Sequence, residues 1–106
     1  MFFEFREYRI RDGKRQEWVD FMENKIIPYQ TSKGMVVIGS FVGEEESDLY
    51  FWIRRFESEE QRIRLYDAVY ESDHWKNVIS PKVGEMMLRE RIVVTRLEPT
   101  PRSVIR

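Results

Sequence analysis

The 106-residue sequence contains no cysteine. That excludes a disulfide framework, a thiolate nucleophile and cysteine-held zinc or iron–sulfur centres. Histidine occurs once, as His74. Without thiolates or further imidazoles, a metal would have to rely on carboxylates. Glu44, Glu45, Glu46 and Asp48 read more simply as a solvated turn, so neither a metal nor a cofactor is expected. The chain also lacks a glycine-rich phosphate loop and a nucleophile elbow. Charge of one sign is not in excess: 18 Lys and Arg stand against 19 Asp and Glu, for a net charge of -1. A nucleic-acid binder needs a basic surplus, so no such partner is expected. The run Arg89, Arg91, Arg96 is interrupted by Glu90 and reads as charge on a strand edge. No apolar run approaches the roughly 20 residues of a membrane-crossing helix. Charges break the opening Met1-Phe2-Phe3-Glu4-Phe5-Arg6 too early for a signal peptide. These absences predict a cytoplasmic protein with no membrane partner.

What is present is enough for a core. Hydrophobic residues make up 42% of the chain and aromatics 14%. Charged residues reach 35%, above the roughly 25% of ordinary soluble domains. The length predicts one domain. Residues 2–10 alternate, with Phe3 and Phe5 on one face and Glu4, Arg6 and Tyr8 on the other, which is the period of a strand. Asp12-Gly13 is a turn signal. Residues 14–33 carry Trp18, Phe21, Met22, Ile26 and Tyr29 at helical spacing, and Pro28 should kink or end that helix near Ile27. Gly34 suits the position just past a helix. Residues 35–43 and 49–56 read as two strands joined by a short polar link, hence a hairpin. Ser58 with Gln61 resembles a capping box. The following helix carries Ile63, Tyr66, Val69 and Tyr70 along a stripe. Ser72-Asp73 and Ser80-Pro81 mark further helical starts. Residues 88–97 read as a fourth strand.

The order β-α-β-β-α-β predicts an α+β, ferredoxin-like domain: a four-stranded antiparallel sheet with its helices on one face. The domain spans residues 1–98, and 99–106 form an extended tail. The strands are apolar on both faces. Leu49, Phe51 and Ile53 oppose Tyr50, Trp52 and Phe56, and Val36, Ile38 and Val42 oppose Met35, Val37 and Phe41. Two helices cover one face, so the other needs a cover, and a second copy of the sheet is the simplest one. The expectation is a homodimer whose sheets face each other around a cavity. The alternative is that residues 72–86 fold over the second face.

Several segments resemble one family. Phe3-Glu4-Phe5-Arg6-Glu7-Tyr8 is similar to the opening strand of NIPSNAP domains. Pro28, Gly34 and Val37-Ile38-Gly39 are similar to the middle of those domains, and Trp52 to Ser58 to their third strand and helix cap. Ser72-Asp73-His74-Trp75 and Ser80-Pro81 also match in order and spacing. The resemblance covers residues 2–98 and implies a dimeric α/β barrel. Its wider superfamily includes cofactor-free monooxygenases, isomerases, haem-degrading enzymes and ligand sensors. A shared fold does not transfer chemistry.

With Phe3 and Phe5 taken as facing the helices, Glu4, Arg6 and Tyr8 face the inter-sheet cavity beside Tyr50, Trp52 and Arg54. Aromatic walls with two cations and a phenol suit a small anionic or aromatic organic molecule. In an enzyme, Arg6 or Arg54 would hold the anion and Tyr8 would donate or accept a proton. Cofactor-free oxygenation or isomerisation are the nearest analogies. The alternative is a non-catalytic sensing or protein-interaction module, and the two guanidiniums would otherwise pair with Glu4 or Glu90. His74 is either a solvated cap residue or, by analogy with related barrels, a base.

Overall fold

A computed structural model describes all 106 residues. β1 (Phe2–Arg9) is followed by α1 (Arg15–Phe21), a π-helical turn at Met22–Ile26 and α2 (Ile27–Ser32). Next come β2 (Val36–Val42), β3 (Leu49–Phe56) and α3 (Glu59–Tyr70). A second π-helical turn at Trp75–Ile79 leads into α4 (Ser80–Met86), and β4 (Val93–Leu97) closes the sheet. The strands lie in the order β2-β3-β1-β4, and all paired neighbours are antiparallel.

Pro28 does not end its helix. The turn before it widens, and the Ile27 N–H bonds back to the Met22 carbonyl. The wider turn dispenses with the bond that proline cannot donate, so the helical path continues. Pro81 follows a π-helical turn in the same way, with the Ser80 N–H on the Trp75 carbonyl. Gly34, at φ +108°, reverses the chain into β2 from the left-handed region that glycine tolerates. Ser58 caps α3 by accepting from the Gln61 N–H at 3.0 Å, and the Gln61 side chain accepts from the Glu57 N–H. Within α3 the buried stripe centres on Leu65 and Val69. Ile63 lies more than a third of a turn from that stripe and is exposed, contrary to its expected place on it.

β4 is shorter than residues 88–97. Met87 bridges Ile10, but Arg91 N–H then bonds Leu88 and Ile92 N–H bonds Arg89 in a 3₁₀ turn. That turn uses the backbone donors a ladder would need, and pairing with β1 covers only Val93–Leu97. The tail also departs from an extended arm. It turns at Pro101 so that Val104 and Ile105 lie beside Phe3, Phe5 and Leu97.

The largest correction concerns the faces of the sheet. The helices cover the face that carries Tyr8, Tyr50 and Trp52. These pack with Trp18, Met22, Ile26, Ile79 and Val83 in the main core. Glu4 and Arg54 are buried on the same face. Phe3, Phe5, Phe51 and Ile53 lie on the opposite face. The reason is the cross-strand register, in which Glu4 sits directly opposite Arg54. Neutralised against each other, two charges fit a helix-covered face that would exclude either one alone. The opposite face is apolar and open along both edges, with Val36, Ile38, Phe41, Val93 and Leu97 all exposed.

Candidate functional site

A cavity of about 220 Å³ lies between the covered face of the sheet and the helices. Arg6, Tyr8 and Trp52 form its floor. Trp18, Met22, Ile26 and Gln30 form one wall. They recur every four residues along α1, the π-helical turn and α2, so one face of that path meets the sheet. Tyr70, Trp75 and Val83 form the other wall, and Arg89 lies at the exposed edge. All three tryptophans line this space. Arg89 is held by the Ser80 carbonyl at 2.7 Å and the Ser80 hydroxyl at 2.9 Å. The lining contains two guanidiniums and no carboxylate, imidazole or amine.

Behind the floor lies a buried polar network. Arg54 is fully buried and donates to Glu4 at 2.7 Å, Gln30 Oε1 at 2.7 Å, the Tyr70 hydroxyl at 2.7 Å and the Tyr66 hydroxyl at 2.6 Å. Tyr66 in turn donates to the Glu4 carboxylate, with contacts of 2.6 and 2.8 Å. Arg6 reaches into this network through Tyr66 at 3.3 Å and lies 3.6 Å from Glu4, while its Nε donates to the Tyr8 hydroxyl at 2.9 Å. Burial works to raise the Glu4 pKa. The Arg54 charge and the bonds from Tyr66 and Arg54 outweigh it and hold the carboxyl below its ordinary value. Burial pushes the Tyr66 phenol up, and Tyr50, sealed in the core, is pushed up to about 12 by the same cause. Both phenols stay protonated at neutral pH.

A depressed Glu4 pKa sets a pH dependence. The stabilisation is complete above the unfolded-state value of about 4.3 and is lost as pH falls through the lower folded value. Urea midpoints should be level from pH 7 to 5 and fall below pH 4.5. The fall should be shallower in Glu4→Gln. An equal fall in both proteins would remove Glu4 as its source.

Of the residues singled out in the sequence, Arg6, Tyr8 and Trp52 line one cavity, on the helix side of the protomer rather than between two sheets. Glu4 and Arg54 stand behind it as the ion pair. Tyr50 lies apart, with its hydroxyl 2.5 Å from that of Ser40. His74 is exposed and does not line the cavity, its ring centroid 4.7 Å from that of Tyr29. Sequence reasoning missed Gln30, Tyr66, Tyr70 and Trp18 as parts of the site. The available signal was Gln30 itself, a polar residue four places after Ile26 in an apolar stripe. Tyr66 and Tyr70 stand one helical turn apart on α3.

This chain is a ferredoxin-like α+β domain with a small-molecule-sized cavity on its helix side. The NIPSNAP family model matches residues 3–103, and the chain belongs to the NIPSNAP family, as the resemblance of its strands implies. It is similar to the crystal structure of a NIPSNAP family protein from Agrobacterium tumefaciens. That protein is 26% identical, with a TM-score of 0.87 over 99% of this chain and 98% of the other. A second Agrobacterium NIPSNAP family protein, of unknown function, is 21% identical with a TM-score of 0.88 over 100% and 94%. An antibiotic biosynthesis monooxygenase shares the fold at 11% identity, with a TM-score of 0.68 over 95% and 100%. No curated protein matches the chain. No helix is long and apolar enough to cross a membrane.

Proposed function

We propose that this domain binds a small organic anion with an apolar or aromatic body in the cavity between sheet and helices. The observation that carries this reading is the lining: two guanidiniums, no carboxylate, and aromatic walls. Arg6 is held from behind by Glu4 and Tyr66, so its charge is pre-positioned. Trp18, Trp52 and Trp75 supply the flat apolar surface. The volume is below the 300–1,000 Å³ of drug-sized pockets and suits a smaller molecule.

In the enzymatic form of this reading, oxygenation or isomerisation proceeds without a cofactor, with Tyr8 handing a proton to the bound oxyanion. In the other form the domain senses the ligand without turnover. The absence of a carboxylate, imidazole or amine from the lining favours the second, because no such group stands ready to take a proton from carbon. His74 does not line the cavity, and neither form of the proposal assigns it a role. We also propose that two copies pair through their exposed apolar faces, which makes the homodimer a partnership of the surfaces opposite the cavity.

Titration with 3-phenylpropanoate, followed by tryptophan fluorescence, tests the site. Arg6→Ala should weaken binding by at least tenfold, the worth of a charge-assisted bond, with the fold intact by circular dichroism. Unchanged affinity in Arg6→Ala would contradict the proposal.

A further inference from the structure

The hydrogen bonds around the cavity leave two of its phenols with an O–H still to donate. The Tyr8 oxygen accepts from Arg6 Nε at 2.9 Å. The Tyr70 oxygen accepts from both Arg54 Nη1 at 2.7 Å and Gln30 Nε2 at 3.1 Å. The orientation of the Gln30 amide follows from its other bond: Arg54 is a donor only, so the atom it meets at 2.7 Å is Oε1, and Nε2 points to Tyr70. Both phenols line the cavity, and neither O–H finds an acceptor in the protein. Tyr66 shows the contrast, because its O–H is taken by Glu4. A buried donor without an acceptor is destabilising, and a ligand that supplies one relieves that cost.

We infer that Tyr8 and Tyr70 are specificity-determining donors that select anions carrying a second acceptor oxygen, such as 2-oxo acids or their enols, over acids that lack it or carry a donor in its place. This deepens the proposed anion site and rests on it. Arg6 takes the carboxylate, and the phenols take the oxo or enol oxygen. The phenols are strong donors there because Arg6 and Arg54 each donate to a phenol oxygen and polarise its O–H. An ammonium in place of the oxo group could accept neither O–H and would lie beside the Arg6 guanidinium, so its desolvation would be poorly compensated.

Three probes with one carbon skeleton make the test: phenylpyruvate, 3-phenylpropanoate and phenylalanine. Affinities are read by calorimetry on the wild type, Tyr70→Phe, Tyr8→Phe and Arg6→Ala. The expected order in the wild type is phenylpyruvate tighter than 3-phenylpropanoate by about tenfold, with phenylalanine weakest. Tyr70→Phe should remove the phenylpyruvate advantage and leave 3-phenylpropanoate unchanged. Tyr8→Phe should reduce the same advantage, and it leaves Arg54 and Gln30 their partners if Tyr70→Phe does not fold. Equal wild-type affinities for phenylpyruvate and 3-phenylpropanoate, both lost in Arg6→Ala, would overturn this inference and leave the anion site standing. Failure of all three probes to bind would overturn both.

Discussion

Glu4→Gln should destabilise the fold by about 3–5 kcal/mol in urea denaturation, far more than a typical surface charge change. The carboxylate is 2.7 Å from a guanidinium that is fully buried. Removing it leaves Arg54 charged in a dry interior, since arginine does not give up its proton. Gln30, Tyr66 and Tyr70 still accept from Arg54, but they bring no charge. The pair is not thereby a large net source of stability, because desolvating two ions offsets much of their attraction. The double variant Glu4→Gln with Arg54→Met should therefore be less destabilised than the sum of the singles. The coupling in that cycle should be on the order of 1–3 kcal/mol. Additive effects, or a Glu4→Gln cost below about 1 kcal/mol, would show that Arg54 finds its compensation elsewhere.

The second large effect concerns association. Introducing charge on the open face, as in Phe41→Glu combined with Ile38→Glu, should convert a dimer at micromolar concentration into a monomer by light scattering. Both side chains are exposed in the protomer, at 52% and 40%, so the substitutions leave the core untouched. The face they share also carries Phe5 and Phe51, packed edge to face at 5.9 Å, so a partner would cover a continuous aromatic surface. Each apolar side chain buried there contributes about 1.5–3 kcal/mol before the cost of association. Two ionised carboxylates at such an interface would outweigh several of these contributions. A wild-type protein that is monomeric at this concentration would refute the pairing.

The two predictions separate what sequence patterning reveals from what it hides. β1 and β3 were legible, because alternation with period two has no helical counterpart over eight residues. The α3 boundary was legible because Ser58 and Gln61 stand at capping distance. The order of elements follows from these, and with it the ferredoxin-like arrangement. Which face the helices cover was not legible. When both faces of a sheet carry aromatic residues, alternation defines two faces without ranking them. The usual tie-breaker, that charge points outward, fails here because Glu4 and Arg54 lie opposite each other and cancel. Arg6, Tyr8 and Trp52 were legible as one face of adjacent strands, and they line one cavity. Gln30 and Tyr70 were hidden because their role depends on α2 and α3 meeting over Arg54, a contact that no local spacing encodes. The 3₁₀ turn at Arg89–Arg91 was hidden for a similar reason: the apolar and charged residues of 88–92 suit a strand, and local backbone bonds decide otherwise.

The proposed ligand site lies inside the protomer, on the helix side of the sheet. Its most direct test is a nuclear magnetic resonance titration with 3-phenylpropanoate that follows indole N–H and methyl signals together. Saturable shifts of the Trp18, Trp52 and Trp75 indoles are expected, with no change at the methyls of Ile38, Val36 and Val93. Shifts confined to those methyls, with the indoles silent, would place the site between two sheets and contradict it.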